Sequence, residues 1–438
     1  MTAFDQFDPF EHRITAALGE IAPARRPDYL DTVLRQTART SQRPRWTFPG
    51  RWVPVIDSTH VGTGFTGRVP ARPMLLLLIV LLLAAVAAVA AVGSQNRLPK
   101  PFGAAANGQI AYASNGDIYV RDSLTGVARL LVGGDGDQSY PSYSPDGRWL
   151  SYLNSTGTSD AFMIALADGS EPRVIGQIPA FGNAQAAWAP DSRSLALVHD
   201  VDGLPTLSIT PIDGSPAIRP DLRGLLPFDV AWRPPDGRDL LVRVRTEGGP
   251  MDLAILTLGT GTIRVLGLPS PLLMGSTYDL SGATWSPDGS RIAYNAVTKA
   301  PAGAPYPGLF RVHVVLADGS HDLAVPAPVD PRVQEAWPAF SPDGHLILVH
   351  SWTWKQDKGG LGWIAVLPAD GSAAGHDLGP KVAGGQETGI LKSWSPDGTR
   401  VLMGTDNTHA VYALDPLTGD QQLLDWTQAL PDWQRRAP

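Results

Sequence analysis

The sequence predicts an all-β fold, a β-propeller of four-stranded blades, preceded by one transmembrane helix and a short helical N-terminal segment. Three observations carry that expectation. A hairpin motif recurs six times, a second turn recurs in step with it, and an uncharged apolar run stands upstream of both.

The hairpin motif is an aromatic residue, a Ser-Pro-Asp-Gly turn or a near copy, and a short apolar strand. Its copies are Tyr143–Gly147, Trp188–Ser192, Trp232–Gly237, Trp285–Gly289, Phe340–Gly344 and Trp394–Gly398. Their aspartates, Asp146, Asp191, Asp236, Asp288, Asp343 and Asp397, lie 45, 45, 52, 55 and 54 residues apart, a blade-length period. Proline presets φ for the second turn position, Asp tolerates the third, and glycine takes the left-handed conformation that ends the turn. Two copies depart from this chemistry: Ser192 stands where the others have glycine, and the third copy carries an extra proline at 234–235.

Strand-like segments such as Trp149–Leu153, Ile292–Ala296 and Leu346–Val349 follow the turns. Further along each unit a second turn recurs, as at Asp168-Gly169, Asp318-Gly319 and Asp370-Gly371, after strands such as Phe162–Leu166 and Trp363–Leu367. That makes four strands per repeat. Upstream, residues 109–132 read as a seventh copy lacking an inner strand. Either residues 101–107 or the stretch after Trp426 supplies it, the latter pairing the two chain ends and covering exposed sheet edges. Seven blades are favoured, with six plus extra edge strands as the alternative. The domain spans 105–427, with 428–438 read as a C-terminal tail.

These Ser-Pro-Asp-Gly repeats resemble those of the TolB-like propellers, relatives of the WD-repeat class found in bacterial extracytoplasmic proteins. Similar repeats occur in the propeller domains of prolyl oligopeptidase-type proteases. The resemblance covers roughly residues 105–427. It implies the fold and says little of activity, because the repeated residues build hairpins rather than a site.

Met74–Val92 is nineteen residues without a charge or a polar side chain, enough to cross a hydrocarbon core of ~30 Å. The 73 residues before it are too many for the n-region of a signal peptide, so a single signal-anchor is expected. Residues 1–72 hold ten Arg against seven Asp or Glu, a net of +3; the remainder holds 25 basic and 35 acidic residues, a net of −10. The positive-inside rule then puts the N-terminus in the cytoplasm and the propeller outside, at the cell membrane. A domain of this size needs no disulfide, which suits a chain without cysteine. An acidic propeller argues against nucleic acid as a partner.

The cytoplasmic segment, 1–56, reads as two short helices and a basic aromatic stretch. Asp8 caps the first, with Pro9 in its first turn and Phe10, Ile14, Leu18 and Ile21 along one face. Pro27 opens the second, with Tyr29, Leu30, Val33 and Leu34 on one side. Two such helices cannot bury a self-sufficient core, so residues 5–40 either stay loosely ordered or fold on a cytoplasmic regulator. Arginines interleaved with Trp46, Phe48 and Trp52 in 43–52 fit a lipid headgroup region, and 57–73 reads as a linker, as does 93–104. The plan resembles membrane-bound anti-sigma regulators in layout only.

Enzyme signatures are mostly missing from the sequence. It has no Gly-x-Ser-x-Gly elbow, no phosphate loop, and too few residues after Trp426 for a hydrolase domain. No catalytic residue, metal or cofactor is expected. His199 and His350 fall near equivalent repeat positions, but seven and six residues after their turns, so a period-two strand points them to opposite faces. Gly133–Asp137 offers two carboxylates and no third ligand, and reads as a surface turn.

Loop length places the expected ligand site on the face opposite the Ser-Pro-Asp-Gly turns. Two long connections, 298–308 and 351–362, carry Tyr306 and then Trp352, Trp354, Lys355, Asp357 and Lys358. Such residues suit an envelope protein, a peptide or a glycan, while the same aromatics equally suit packing against neighbouring blades. The leading expectation is a non-enzymatic binding module. Its rival is a glycan hydrolase or lyase, for which two of Asp279, Glu335 and Glu387 would have to converge at ~5–10 Å.

Overall fold

A computed structural model describes residues 102–436, apart from 180–183, 247–248, 250, 269–281, 300–307, 331, 354–359, 384–389, 406–409 and 428–430. The expected N-terminal helices, the apolar run 74–92 and its flanks lie outside the described residues. Among the described residues no helix is long and apolar enough to cross a membrane.

The described chain forms seven antiparallel sheets. The first contains β1 (Ala106–Ser114), β2 (Asp117–Arg121) and β3 (Arg129–Val132); the second, β4 (Asp137–Tyr143), β5 (Trp149–Ser155), β6 (Ser159–Leu166) and β7 (Arg173–Pro179). The third has β8 (Ala184–Trp188), β9 (Ser194–Val201) and β10 (Leu204–Pro211). The fourth is built of β11 (Leu226–Trp232), β12 (Asp239–Arg245), β13 (Met251–Thr257) and β14 (Thr262–Val265). In the fifth lie β15 (Ala283–Trp285), β16 (Arg291–Lys299), β17 (Gly308–Leu316) and β18 (Leu323–Ala324). The sixth comprises β19 (Val333–Phe340), β20 (Leu346–Thr353), β21 (Leu361–Pro368) and β22 (His376–Ala383). The seventh holds β23 (Ile390–Trp394), β24 (Val401–Thr405), β25 (Ala410–Leu414) and β26 (Gln421–Thr427). A last strand, β27 (Asp432–Arg436), returns to the first sheet.

Successive side chains of a strand point to opposite faces, so a blade sandwiched between two others must be apolar on both. Strand β9 shows this directly: Leu195 and Leu197 pack toward blade 2, whereas Ala196 and Val198 pack toward blade 4. Seven apolar clusters result, one at each junction of neighbouring blades. The seventh joins Leu402, Val411 and Trp426 of blade 7 to Ile110, Tyr112 and Trp433 of blade 1. Seven junctions for seven blades make a closed ring.

Closure is made by the chain end. Strand β27 pairs antiparallel with β1, with Ile110 opposite Trp433 and Ala106 opposite Arg436, and takes the innermost place of blade 1. The stretch 428–438 is therefore more than a tail, and the propeller runs to Arg436. Residues 101–107 do not supply the inner strand; Ala106 already begins the second. Both ends emerge beside the Ser-Pro-Asp-Gly turns. Ala105 N donates to Pro396 O and Asn107 Nδ2 to Asp397, while Gln434 Nε2 donates to Gly147 O.

Each full turn motif is tied internally. Ser286 Oγ donates to Asp288 Oδ1 at 2.5 Å and accepts from Arg291 N, a pattern repeated at Ser144, Ser341 and Ser395. Burial opposes ionisation of Asp288, Asp343 and Asp397, but hydrogen bonds from the turn serines and the following backbone amides outweigh it. All three sit below the usual carboxylate value. The two irregular copies also form. Ser192 takes φ of 60° in place of glycine, and its hydroxyl accepts from Asp146 N of the preceding blade.

Blade 3 departs from the plan: it has three strands. Ile209 exchanges both backbone bonds with Ile218, an isolated bridge where a fourth strand would lie. The same outward alternation places Pro205 and Pro211 along the free edge of β10. Neither has an N–H to offer a further strand, so the edge is blunted against pairing.

Candidate functional site

Inner strands β4, β8, β11, β15, β19, β23 and β27 each have one edge unpaired in their sheets. In every motif copy a small residue precedes the aromatic: Ser142, Ala187, Ala231, Thr284, Ala339 and Ser393. The structure supplies the reason. Indole Nε1 of Trp188, Trp232 and Trp394 donates to the carbonyl of the small residue one blade back, namely Ser142, Ala187 and Ala339, at 2.9–3.1 Å. The aromatic is a tie between inner strands. Trp285 is the exception, its indole N–H having no partner among the described residues.

These strands surround an axial cavity of about 500 Å³ that opens toward the Ser-Pro-Asp-Gly turns. Pro234, Pro287, Pro342 and Pro396 stand at its rim, and Phe102 and Gly103 also line it. Ala186 is exposed and contributes to the wall. Three charged side chains line it: Asp229, Asp432 and Arg435. Asp229 accepts from the Val230 and Gly282 amides, at 2.8 and 3.2 Å. Asp432 accepts from Tyr143 N at 2.7 Å; burial pushes its carboxyl up to about 6 against the pull of that amide and of Trp433 N. Arg435 lies lower than a free guanidinium, through burial, and donates to Gly103 O.

Loop length points to the opposite face, whereas this cavity opens toward the turns. Turn tightness sets the thickness of the rim, whereas the cavity comes from the ring of inner strands. Tyr306, Trp354, Lys355, Asp357 and Lys358 lie outside the described residues, as do Phe10, Ile14, Leu18, Tyr29, Leu30 and Val33. Trp352 is described and is a packing residue. It sits in β20 rather than a loop, 7% exposed, with its ring centroid 5.3 Å from Phe310 of blade 5 and 5.7 Å from Trp337. The strand continues through Thr353, one pair beyond the Trp352–Gly362 register, so the connection is shorter than its sequence.

Of the three carboxylates weighed for catalysis, Asp279 and Glu387 lie outside the described residues. Glu335 is buried between blades 5 and 6. Burial pushes its carboxyl up to about 7, with Arg311 drawing it down and Asp377 adding to the rise. Its Oε2 has no hydrogen-bond partner among the described residues. His199 lies on the blade 2 side of its sheet and His350 alternates with Leu348, which packs toward blade 7, so the two histidines face opposite ways. Among the described residues no three metal-ligating side chains cluster.

No protein-family model matches the chain, and no curated protein matches it. Among solved structures it is similar to TolB from Acinetobacter baumannii, at 14% identity over 76% of this chain and 82% of that one, with a TM-score of 0.47. The periplasmic gluconolactonase of Pseudomonas aeruginosa is similar at 16% identity, over 75% and 99%, with a TM-score of 0.49. A prolyl endopeptidase is similar at 16% identity and a TM-score of 0.50, over 77% of this chain and 51% of that one. The present chain thus spans about half the length of that protein. At such identities the likeness is one of fold alone.

Proposed function

We propose that this chain is a single-pass membrane protein, anchored by 74–92, whose extracytoplasmic propeller binds an extended segment of a partner protein in its axial cavity and catalyses no reaction. The axial cavity carries this reading. Its wall presents free edges of inner strands, whose backbone N–H and C=O groups suit an extended main chain. Its prolines and Phe102 offer an apolar rim, and Asp229 and Asp432 favour a segment containing Lys or Arg. Both carboxylates are already engaged by neighbouring amides, which supports binding over hydrolysis.

The test uses the full chain in detergent to select peptides from a displayed library. Ala186→Trp fills the cavity from an exposed position without entering the core. It is expected to raise the Kd of selected peptides at least ~10-fold, equivalent to about 1.4 kcal/mol, while leaving the melting temperature unchanged. Equal binding by the filled variant sinks the cavity reading.

The anchoring half rests on the uncharged length of 74–92 and on the charge imbalance across it. Residues 5–40, through Phe10, Ile14, Leu18, Tyr29, Leu30 and Val33, then dock a cytoplasmic regulator, with 43–52 against membrane lipid. The chain has no cysteine, so single introduced thiols report topology cleanly. Val329→Cys, at a position 99% exposed, should react with an impermeant maleimide in spheroplasts, whereas Ser41→Cys should react only after lysis. The reverse pattern overturns the orientation.

A further inference from the structure

The missing fourth strand of blade 3 leaves more than a blunted edge. On the side of β10 that faces blade 2, positions 206, 208 and 210 are Thr, Ser and Thr, where the other face of the same strand places Leu207 and Ile209 in the core. Hydroxyls thus stand at three alternate positions on a face whose β9 partners include Leu195 and Leu197. Ser208 and Thr210 border a second cavity, of about 300 Å³, between β7 and the β9–β10 pair.

Its polar lining is Gln177, His199, Asp200, Ser208, Thr210 and Arg219. Ser208 and Thr210 are 3% and 8% exposed, and Ser208 Oγ has only a 3.4 Å contact with His199 Nε2. The side chains of Gln177, Thr210 and Arg219 make no hydrogen bond or ion pair among the described residues. The Thr210 hydroxyl, with no protein partner among the described residues, is open to a hydrogen bond from a ligand in the cavity, and His199 Nδ1 is buried without a partner among them. Burial lowers the His199 pKa, favouring the neutral ring, which has one donor and one acceptor.

The chemistry of the lining selects the ligand. A guanidinium fork matches a carboxylate, and hydroxyl, amide and neutral imidazole groups match alcohols. Asp200 sets a negative charge at the same site, which disfavours a phosphate dianion. Among the described lining residues no Phe, Tyr or Trp is available to stack on a flat base. We propose that this interblade cavity binds a small hydroxylated monocarboxylate of the sugar-acid class, with Arg219 taking the carboxylate and Gln177, Ser208 and Thr210 the hydroxyls. The two cavities share no lining residue.

Titration calorimetry on the full chain in detergent tests it with D-glucuronate, D-glucose and inorganic phosphate. Glucuronate is expected to bind with a Kd of ~1 mM or tighter, and glucose and phosphate at least ~10-fold more weakly. Arg219→Ala and Thr210→Val should each weaken glucuronate ~10-fold, with Arg219→Lys intermediate. Arg219 is exposed, so its variants keep the fold even if Thr210→Val does not. A peptide selected for the axial cavity should not compete with glucuronate, which keeps this proposal separable from the peptide reading. No heat with glucuronate would mean that the cavity holds only water and would overturn the proposal. Equal binding of glucose or phosphate, or full binding by Arg219→Ala, would do the same.

Discussion

A chain ending after Thr427 is expected to lose its cooperative fold. Such a chain lacks β27, and with it the innermost strand of blade 1 and the pairing of Ile110 with Trp433. Tyr143 N loses the Asp432 carboxylate, and the junction of blades 7 and 1 loses Trp433, which is 7% exposed. Emptying a buried tryptophan site alone costs about 3–5 kcal/mol, against a total stability for native proteins of about 5–15 kcal/mol. The remaining six junctions cannot compensate, because an open ring also exposes the edges of β1 and the blade 7 face. Near-UV circular dichroism and limited proteolysis of the full and shortened chains give the readout. A shortened chain with the wild-type melting temperature would show that closure does not depend on β27.

Gly289→Ala should be the most damaging single methyl in the turns. Gly289 ends its Ser-Pro-Asp-Gly turn at φ of 69°, where an L-residue is strained by about 1–2 kcal/mol. A Cβ there would also run into the carbonyl oxygen of Pro234 in blade 4, backbone that cannot swing aside. Overpacking of this kind adds about 1–3 kcal/mol. The sum, about 2–5 kcal/mol, corresponds in a domain of this size to a melting temperature lower by roughly 3–7 °C. Gly419→Ala isolates the first contribution, since Gly419 has φ of 77° and nothing within 4 Å of its added Cβ. Calorimetric melts of both variants should show the larger fall at Gly289. Equal falls would mean that the contact between blades contributes nothing.

Residues that act locally were legible in the sequence. The turns at Asp146, Asp288, Asp343 and Asp397 were, because each depends on four adjacent residues whose chemistry suits one backbone path. Six repeats followed from their spacing, and the partial copy at 109–132 favoured a seventh blade, with six as the alternative. The closing strand was harder: Asp-Trp-Gln-Arg-Arg has one apolar residue in five, and only its place beside β1 makes it a strand. The three-stranded blade was hidden for the opposite reason, since Asp213-Gly214 announces a turn there as in other blades while Pro216 and Pro220 deny the strand after it. Neither cavity was foreseen. Each is made by residues far apart in the chain, as Ala186, Asp229 and Asp432 are. The small residue before each motif aromatic was the available signal. Its meaning appears only once the indole of the next blade is seen on its carbonyl.

The pairing of β27 with β1 has a mechanical side. Ala106 lies opposite Arg436, so both free ends of this antiparallel pair leave from the same end of the sheet. Tension applied between them loads the bonds one after another, as in a zipper, rather than all together in shear. Forced opening is governed by the rate of the first step, and here that step is a single backbone pair at the rim. A propeller held only by the chain leading to Phe102 carries no such load, because the force enters β1 while the end of β27 stays free.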